Sequence, residues 1–149
     1  MKENEKKRLL VFCLYNKDGN IENYVIKILS QLRLLMKRII IVSNNKIAEN
    51  SLNHLKEFTN EIIIRNNIGL DYGAYREVFL GYLNGEEKKY DEIVLCNDTF
   101  YGFFTPIEKI FFEMENKNCD MWGLNKVDRG GILNHIQSYF LVLNKNLVQ

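Results

Sequence analysis

Three short stretches of the chain carry residue types suited to chemistry. The first is Asn97-Asp98-Thr99, set directly behind the apolar run Ile93-Val94-Leu95-Cys96. A β-branched run of that length predicts a strand buried on both faces of a parallel sheet. Small polar groups at its carboxyl end stand where open α/β sheets place their ligands, so Asp98 is the centre of a candidate site. The second stretch, Asn66-Asn67-Ile68-Gly69-Leu70-Asp71-Tyr72-Gly73-Ala74-Tyr75-Arg76-Glu77, is a turn that feeds a helix. Asp71 falls at the N-cap position, and Arg76 lies one turn on, within reach of an anion held by the free N–H groups. The third is the polar loop at 15–20, which follows the first apolar run. Each has a plainer explanation. Asn, Asp and Thr satisfy turn hydrogen bonds, an N-cap is worth about 1 kcal/mol without any ligand, and Gly69 and Gly73 serve a tight turn as readily as a bound phosphate.

The elements around these stretches alternate. Residues 9–14 form a first buried strand, followed by a helix from Glu22 whose apolar positions Tyr24, Val25, Ile28, Leu29, Leu32 and Leu35 recur at helical spacing. A second strand at 38–42 ends in Ser43-Asn44-Asn45, and a helix at 48–58 leads to a third strand at 61–65. His54 lies on that helix's polar side and receives no role. In the next helix Tyr72, Tyr75, Phe79, Tyr82 and Leu83 share one face. After the central strand, 107–114 is a helix with Pro106 suited to its first turn. A fifth strand at 120–124, a Gly130-Gly131 loop at 126–134 able to act as a lid, and a sixth strand at 137–143 complete the series.

This order predicts an α/β fold, three layers with a mostly parallel sheet. Four strands in a row then end in polar clusters, and helical crossovers bring all four to one edge. A crevice there with Asp71, Asp98, Arg76 and helix N-termini suits a phosphorylated ligand with a divalent cation.

Composition removes other classes. Twenty basic against nineteen acidic residues give a net charge of +1, which offers no overall attraction for nucleic acid. Cys13, Cys96 and Cys119 show no metal-ligand spacing and suit reduced thiols of a cytoplasmic protein. The apolar run behind the basic start is too short for a signal peptide or a membrane span, so any membrane attachment would be peripheral. There is no GxxxxGK[ST], no GxGxxG and no Ser/His/Asp or Cys/His arrangement.

The blocks NNIGLDYGAYRE, YDEIVLCNDTFYGFFTPIEKIF, DMWGL and HIQSYFLVL, in that order and spacing, resemble the rhamnan synthesis protein F family of polysaccharide-building glycosyltransferases. The resemblance runs from Arg8 onward. It implies a nucleotide-diphosphate-sugar transferase fold of the GT-A-like type, in which a DxD-like triplet after a central strand holds a divalent cation (Mn or Mg) against the diphosphate. Asp98 would be the metal ligand, with Asn97 beside it. Tyr15 would border the nucleotide, and Asn67, Asp71 and Arg76 would border the rest of the donor. The reaction implied is attack of an acceptor glycan hydroxyl on the anomeric carbon of a nucleotide-diphosphate sugar donor, with rhamnose as the sugar by family analogy. Asp128 and His135 are the local candidates for the general base. The setting implied is cytoplasmic, at the inner face of the membrane.

The triplet departs from the family pattern in carrying one carboxylate, and family members run beyond residue 149. The expectation is therefore one glycosyltransferase-like domain over 1–149, truncated at its C-terminal end. A second reading stays open here: a non-catalytic module that binds a nucleotide sugar or a partner of glycan assembly. A receiver-like or hydrolase-like domain is disfavoured, because no acidic cluster closes the first strand.

Overall fold

The computed structural model describes residues 6–128, 130 and 134–148. Its centre is β1 (Arg8–Leu14), every residue of which is buried. Strand alternation sends Leu10, Phe12 and Leu14 to one face of the sheet and Leu9, Val11 and Cys13 to the other. The first face is covered by α1 (Asn23–Arg33), α2 (Glu49–Lys56) and α4 (Ile107–Glu115), through Val25, Ile28, Leu29, Leu32, Leu55, Ile107 and Phe111. The second is covered by α3 (Leu70–Glu77), which continues as a π-helical turn, Val78–Leu83, and packs Ala74, Tyr75, Val78 and Leu83. Three layers result, as the alternation predicts.

Among the described residues the main sheet has six strands in the order β3-β2-β1-β4-β8-β5. The strands β2 (Arg38–Ser43), β3 (Ile62–Ile64) and β4 (Glu92–Asn97) run parallel with β1. Cys13 is level with both Val42 and Asn97, and Ser43 with Ile64, so the four polar strand ends lie side by side. Beyond β4 the direction reverses. The strand β5 (Met121–Gly123) ends at the same edge as β4, and its chain rises into a ribbon of β6 (Lys126–Val127) and β7 (His135–Ile136). It re-enters the sheet as β8 (Phe140–Asn144), antiparallel to both neighbours. A parallel return would need a crossover of a dozen or more residues to the far edge, whereas this chain comes back where it left.

Several boundaries and details differ from expectation. The sixth strand starts at Phe140, with residues 137–139 forming the approach to it, and Pro106 precedes the first turn of α4. Of the lid candidate at 126–134, Lys126–Val127 forms β6 of the β6–β7 ribbon, while residues 129 and 131–133 lie outside the described residues. The expected aromatic face of α3 is split. Tyr75 is buried but Tyr72 is 65% exposed and Tyr82 45% exposed. Cys13 and Cys96 are buried free thiols, and Cys119 is half-buried.

An ionic cluster fastens the opposite edge of the sheet. The Arg8 guanidinium donates to Glu92 at 2.7 Å and to Glu115 at 2.6 Å, and Lys6 reaches Glu92 at 2.5 Å. The guanidinium also lies 4.7 Å from the Phe111 ring centroid, tying β1, β4 and α4 together. Both Arg8 and Glu92 are buried, so removing one partner strands the other charge. Arg8→Ala should cost about 3 kcal/mol of stability, measured by urea unfolding at neutral pH, and Arg8→Met with Glu92→Leu should recover most of the loss.

Candidate functional site

The polar strand ends meet in a connected network. Asn97, the last residue of β4, donates from Nδ2 to Asp71 Oδ2 at 2.5 Å. Its Oδ1 accepts from the Thr99 hydroxyl at 2.7 Å and the Thr99 N–H at 3.1 Å. Both ends of that amide are engaged, so Asn97 fixes the turn after β4 and draws the start of α3 against it. Asp98 Oδ2 accepts the Tyr15 N–H at 3.0 Å, which joins the end of β1 to the same turn. From α1, the Tyr24 hydroxyl donates to the Asp98 carbonyl at 2.7 Å.

Asp71 does not cap α3. Gly69 occupies the N-cap position with φ +76°, and the Asp71 carboxylate points instead toward Asn97 and the Cys13 thiol, whose Sγ lies 3.6 Å from Oδ1. The hydrogen bond from β4 outcompetes local capping. Gly73 is needed for space, because a Cβ there would sit 2.1 Å from the Ile68 carbonyl oxygen.

The electrostatics are those of a strained acidic pair. Burial pushes the Asp98 carboxyl above the usual carboxylate range and the Asp71 charge adds to the rise, while the Tyr15 N–H opposes it. Burial likewise raises the Cys13 and Cys96 thiols, with Asp71 and Asp98 contributing respectively, so both stay protonated and serve as packing rather than as nucleophiles. Among the described residues no group of three or more His, Cys, Asp or Glu side chains is arranged to hold a metal. Asp71 and Asp98 each carry hard carboxylate oxygens, the donor type that magnesium-like ions take.

A model of the rhamnan synthesis protein F family matches residues 39–149. The chain belongs to that family. The match takes in Asp71, Asn97 and Asp98 and begins after β1 and α1. The uncharacterized protein y4gN of Sinorhizobium fredii (strain NBRC 101917 / NGR234) is 28% identical over 148 residues. That similarity covers 94% of this chain and 37% of the relative's length, so the chain spans well under half of it.

In this rhamnan synthesis protein F chain the residues singled out from sequence fall into three groups. Asp71, Asn97, Asp98 and the Tyr15 backbone converge, while the Tyr15 ring is half exposed. Asn67 is exposed on the turn before α3, and Arg76 is exposed in the last turn of α3 itself. Asp128 and His135 belong to the ribbon that rises from the same sheet edge, and the Asp128 carboxylate accepts the Gly130 N–H at 3.2 Å.

Sequence reasoning missed Arg65 and Tyr24. Arg65 donates to Asn44 Oδ1 at 2.5 Å, to the Ile68 carbonyl at 2.7 Å and to Glu77 at 2.7 Å, and so buckles the turn before α3 onto β2. Its place at the end of β3, level with the other polar clusters, was the available signal. Tyr24 sat within a helical apolar stripe, and only its hydroxyl distinguished it.

The raised Asp98 pKa has a consequence for stability. A folded-state value above the unfolded one means that stability falls as pH rises from the ordinary carboxylate range through the raised value. Above that value the penalty is fully present. Asp98→Asn should therefore raise the thermal midpoint at neutral pH, with the gain shrinking as the pH falls from the raised value and lost below the ordinary carboxylate range. Midpoints measured across pH in wild type and variant check this.

Proposed function

We propose that this chain forms the donor-binding part of a glycosyltransferase that moves a sugar from a nucleotide diphosphate to a growing cell-surface polysaccharide. The observation that carries the reading is that Asn97 bonds Asp71 directly beside Asp98 at the ligand edge of the sheet, close enough for the Asp71 charge to add to the rise of the buried Asp98 carboxyl. Family membership supports it through the polysaccharide that the family builds. The sheet order, with antiparallel β8 between β4 and β5, is compatible with the GT-A-like fold that the resemblance implies.

The chemistry of the donor set argues for a cation. Two carboxylates facing a diphosphate repel it unless a divalent ion lies between them, and burial without a paired base is what such a site requires. Asp98 and Asp71 would hold Mn or Mg, which when bound supplies charge neutralisation on the departing diphosphate. Arg76, exposed in the last turn of α3 rather than one turn from its start, is the proposed source of added positive charge. Tyr15 and Asn67 border the nucleotide. The acceptor hydroxyl attacks the anomeric carbon, the bond to the diphosphate oxygen breaks, and a base takes the hydroxyl proton. Asp128 and His135 are this chain's candidates for that base, from the ribbon at the same edge. Among the described residues no helix is long and apolar enough to cross a membrane, and the setting proposed is the cytoplasmic face, with peripheral attachment.

A non-catalytic nucleotide-sugar module is the second reading. It is favoured by one observation: the Asn97 amide is consumed in holding Asp71 and Thr99, so the triplet itself supplies one carboxylate to a ligand.

Calorimetric titration with dTDP and UDP, each with and without manganese, tests the donor site. Binding should require metal and nucleotide together, since two carboxylates hold a bare ion weakly, and Asp98→Ala should reduce it at least about tenfold, the loss of one charged ligand. No binding of either nucleotide with manganese, or binding indifferent to Asp98→Ala, would overturn the reading. Sugar transfer by a protein that extends past residue 149, lost in Asp98→Ala, separates the enzyme from the silent module.

A further inference from the structure

The loop after Asp98 spends its aromatic residues unusually. Residues 100–104 read Phe-Tyr-Gly-Phe-Phe, yet Tyr101 is 77% exposed and Phe104 is 98% exposed. Large apolar rings held in solvent mark interaction sites when they rim a concave surface. These two do so. Together with Tyr24, Lys27, Ser30 and Gln31 of α1 they line an open hollow of about 490 Å³, within the size range of small-ligand sites.

We propose that this hollow seats a sugar ring of the acceptor glycan, an assignment that rests on the transferase reading above. Three features of the hollow select a carbohydrate. Its wall is aromatic, with Tyr24 and Tyr101 ring centroids 4.8 Å apart and tilted by 50°, a surface suited to the C–H face of a pyranose. Its other side is polar, with Lys27, Ser30 and Gln31 projecting from successive turns of one helix to meet the hydroxyl rim. A lipid tail would offer Lys27 and Gln31 no hydrogen-bond partner, whereas the Ser30 hydroxyl is already bonded to the Ile26 carbonyl. A nucleic acid would need a basic stripe, and the chain's charge is only +1.

The third feature is position. The Tyr24 hydroxyl that borders the hollow donates to the Asp98 carbonyl, so the glycan would lie one side chain away from the proposed donor site. The same loop also lines a second hollow of about 500 Å³, which shares Tyr101, Gly102, Phe103 and Phe104 with the first and is completed by Phe100, Ile110, Leu124 and Tyr139. Lys27, Ser30 and Gln31 line the first hollow and not the second, so a polyhydroxylated ring seated in the first meets polar side chains of α1.

The test is an NMR titration of the ¹⁵N-labelled chain with an α-linked rhamnose trisaccharide, with maltotriose for comparison. Shifts should concentrate at Lys27, Tyr101, Gly102 and the Gln31 side-chain amide, and binding should weaken about tenfold in Tyr101→Ala, as loss of a stacking ring implies. Tyr101 is exposed, so this variant folds, and its manganese-dependent nucleotide binding should be unchanged. Trisaccharide shifts elsewhere, no shifts, or equal binding in Tyr101→Ala would overturn the assignment. So would sedimentation with phosphatidylglycerol vesicles that depends on Phe104 while the trisaccharide leaves the spectrum untouched. Glycan binding at the hollow in a chain that binds neither nucleotide would support the subsite and sink the transferase reading instead.

Discussion

The structure depends on the parallel pairing of β1 with β2 on one side and β4 on the other. Because Cys13 is level with both Val42 and Asn97, every loop that leaves the carboxyl edge starts from the same height. The contacts of the site follow from that alignment. The Tyr15 N–H meets the Asp98 carboxylate, Asn44 Nδ2 meets the Cys13 sulfur at 3.5 Å, and the Asn45 amide meets the Asn16 carbonyl. A slip of one residue would turn the side chains of β1 to the opposite layers and remove all of them together.

The two edges of the sheet are chemically opposed. At the amino edge, Arg8 neutralises Glu92 and Glu115 beside the Phe111 ring, and buried charge is matched. At the carboxyl edge, Asp71 and Asp98 have the Asn97 amide and the Tyr15 N–H as their polar partners, and burial, with the Asp71 charge added, raises the cost of ionising Asp98. Stability is concentrated where no ligand comes. The unbalanced edge is the one proposed to take a cation and a phosphorylated ligand, and the fold holds its polar residues in place through strands packed on both faces.

Much of the architecture was legible because it depends on local pattern. Apolar runs at strand length and apolar stripes at helical spacing placed β1 to β4 and α1, α2 and α4 within a few residues of their observed ends. Asp98 was found by the same logic, since a polar residue directly behind a buried strand has only one place to go. For Asp71 the plainer explanation as a cap fails, because the sequence cannot show that an Asn twenty-six residues later supplies a stronger partner. Arg65 escaped notice for the same reason: its three partners come from β2, from the following turn and from α3.

By itself, then, the sequence determined the alternation of strands and helices, the single edge at which polar residues collect, and the family to which the chain is similar. Those follow from periodicity and residue type, which are properties of neighbours along the chain. Tertiary structure alone decided which polar residues meet, that β8 runs antiparallel beside β4, and that Tyr24 reaches from α1 to the turn behind β4. These are contacts between segments far apart in the chain, set by register and crossover direction, and no local pattern encodes them.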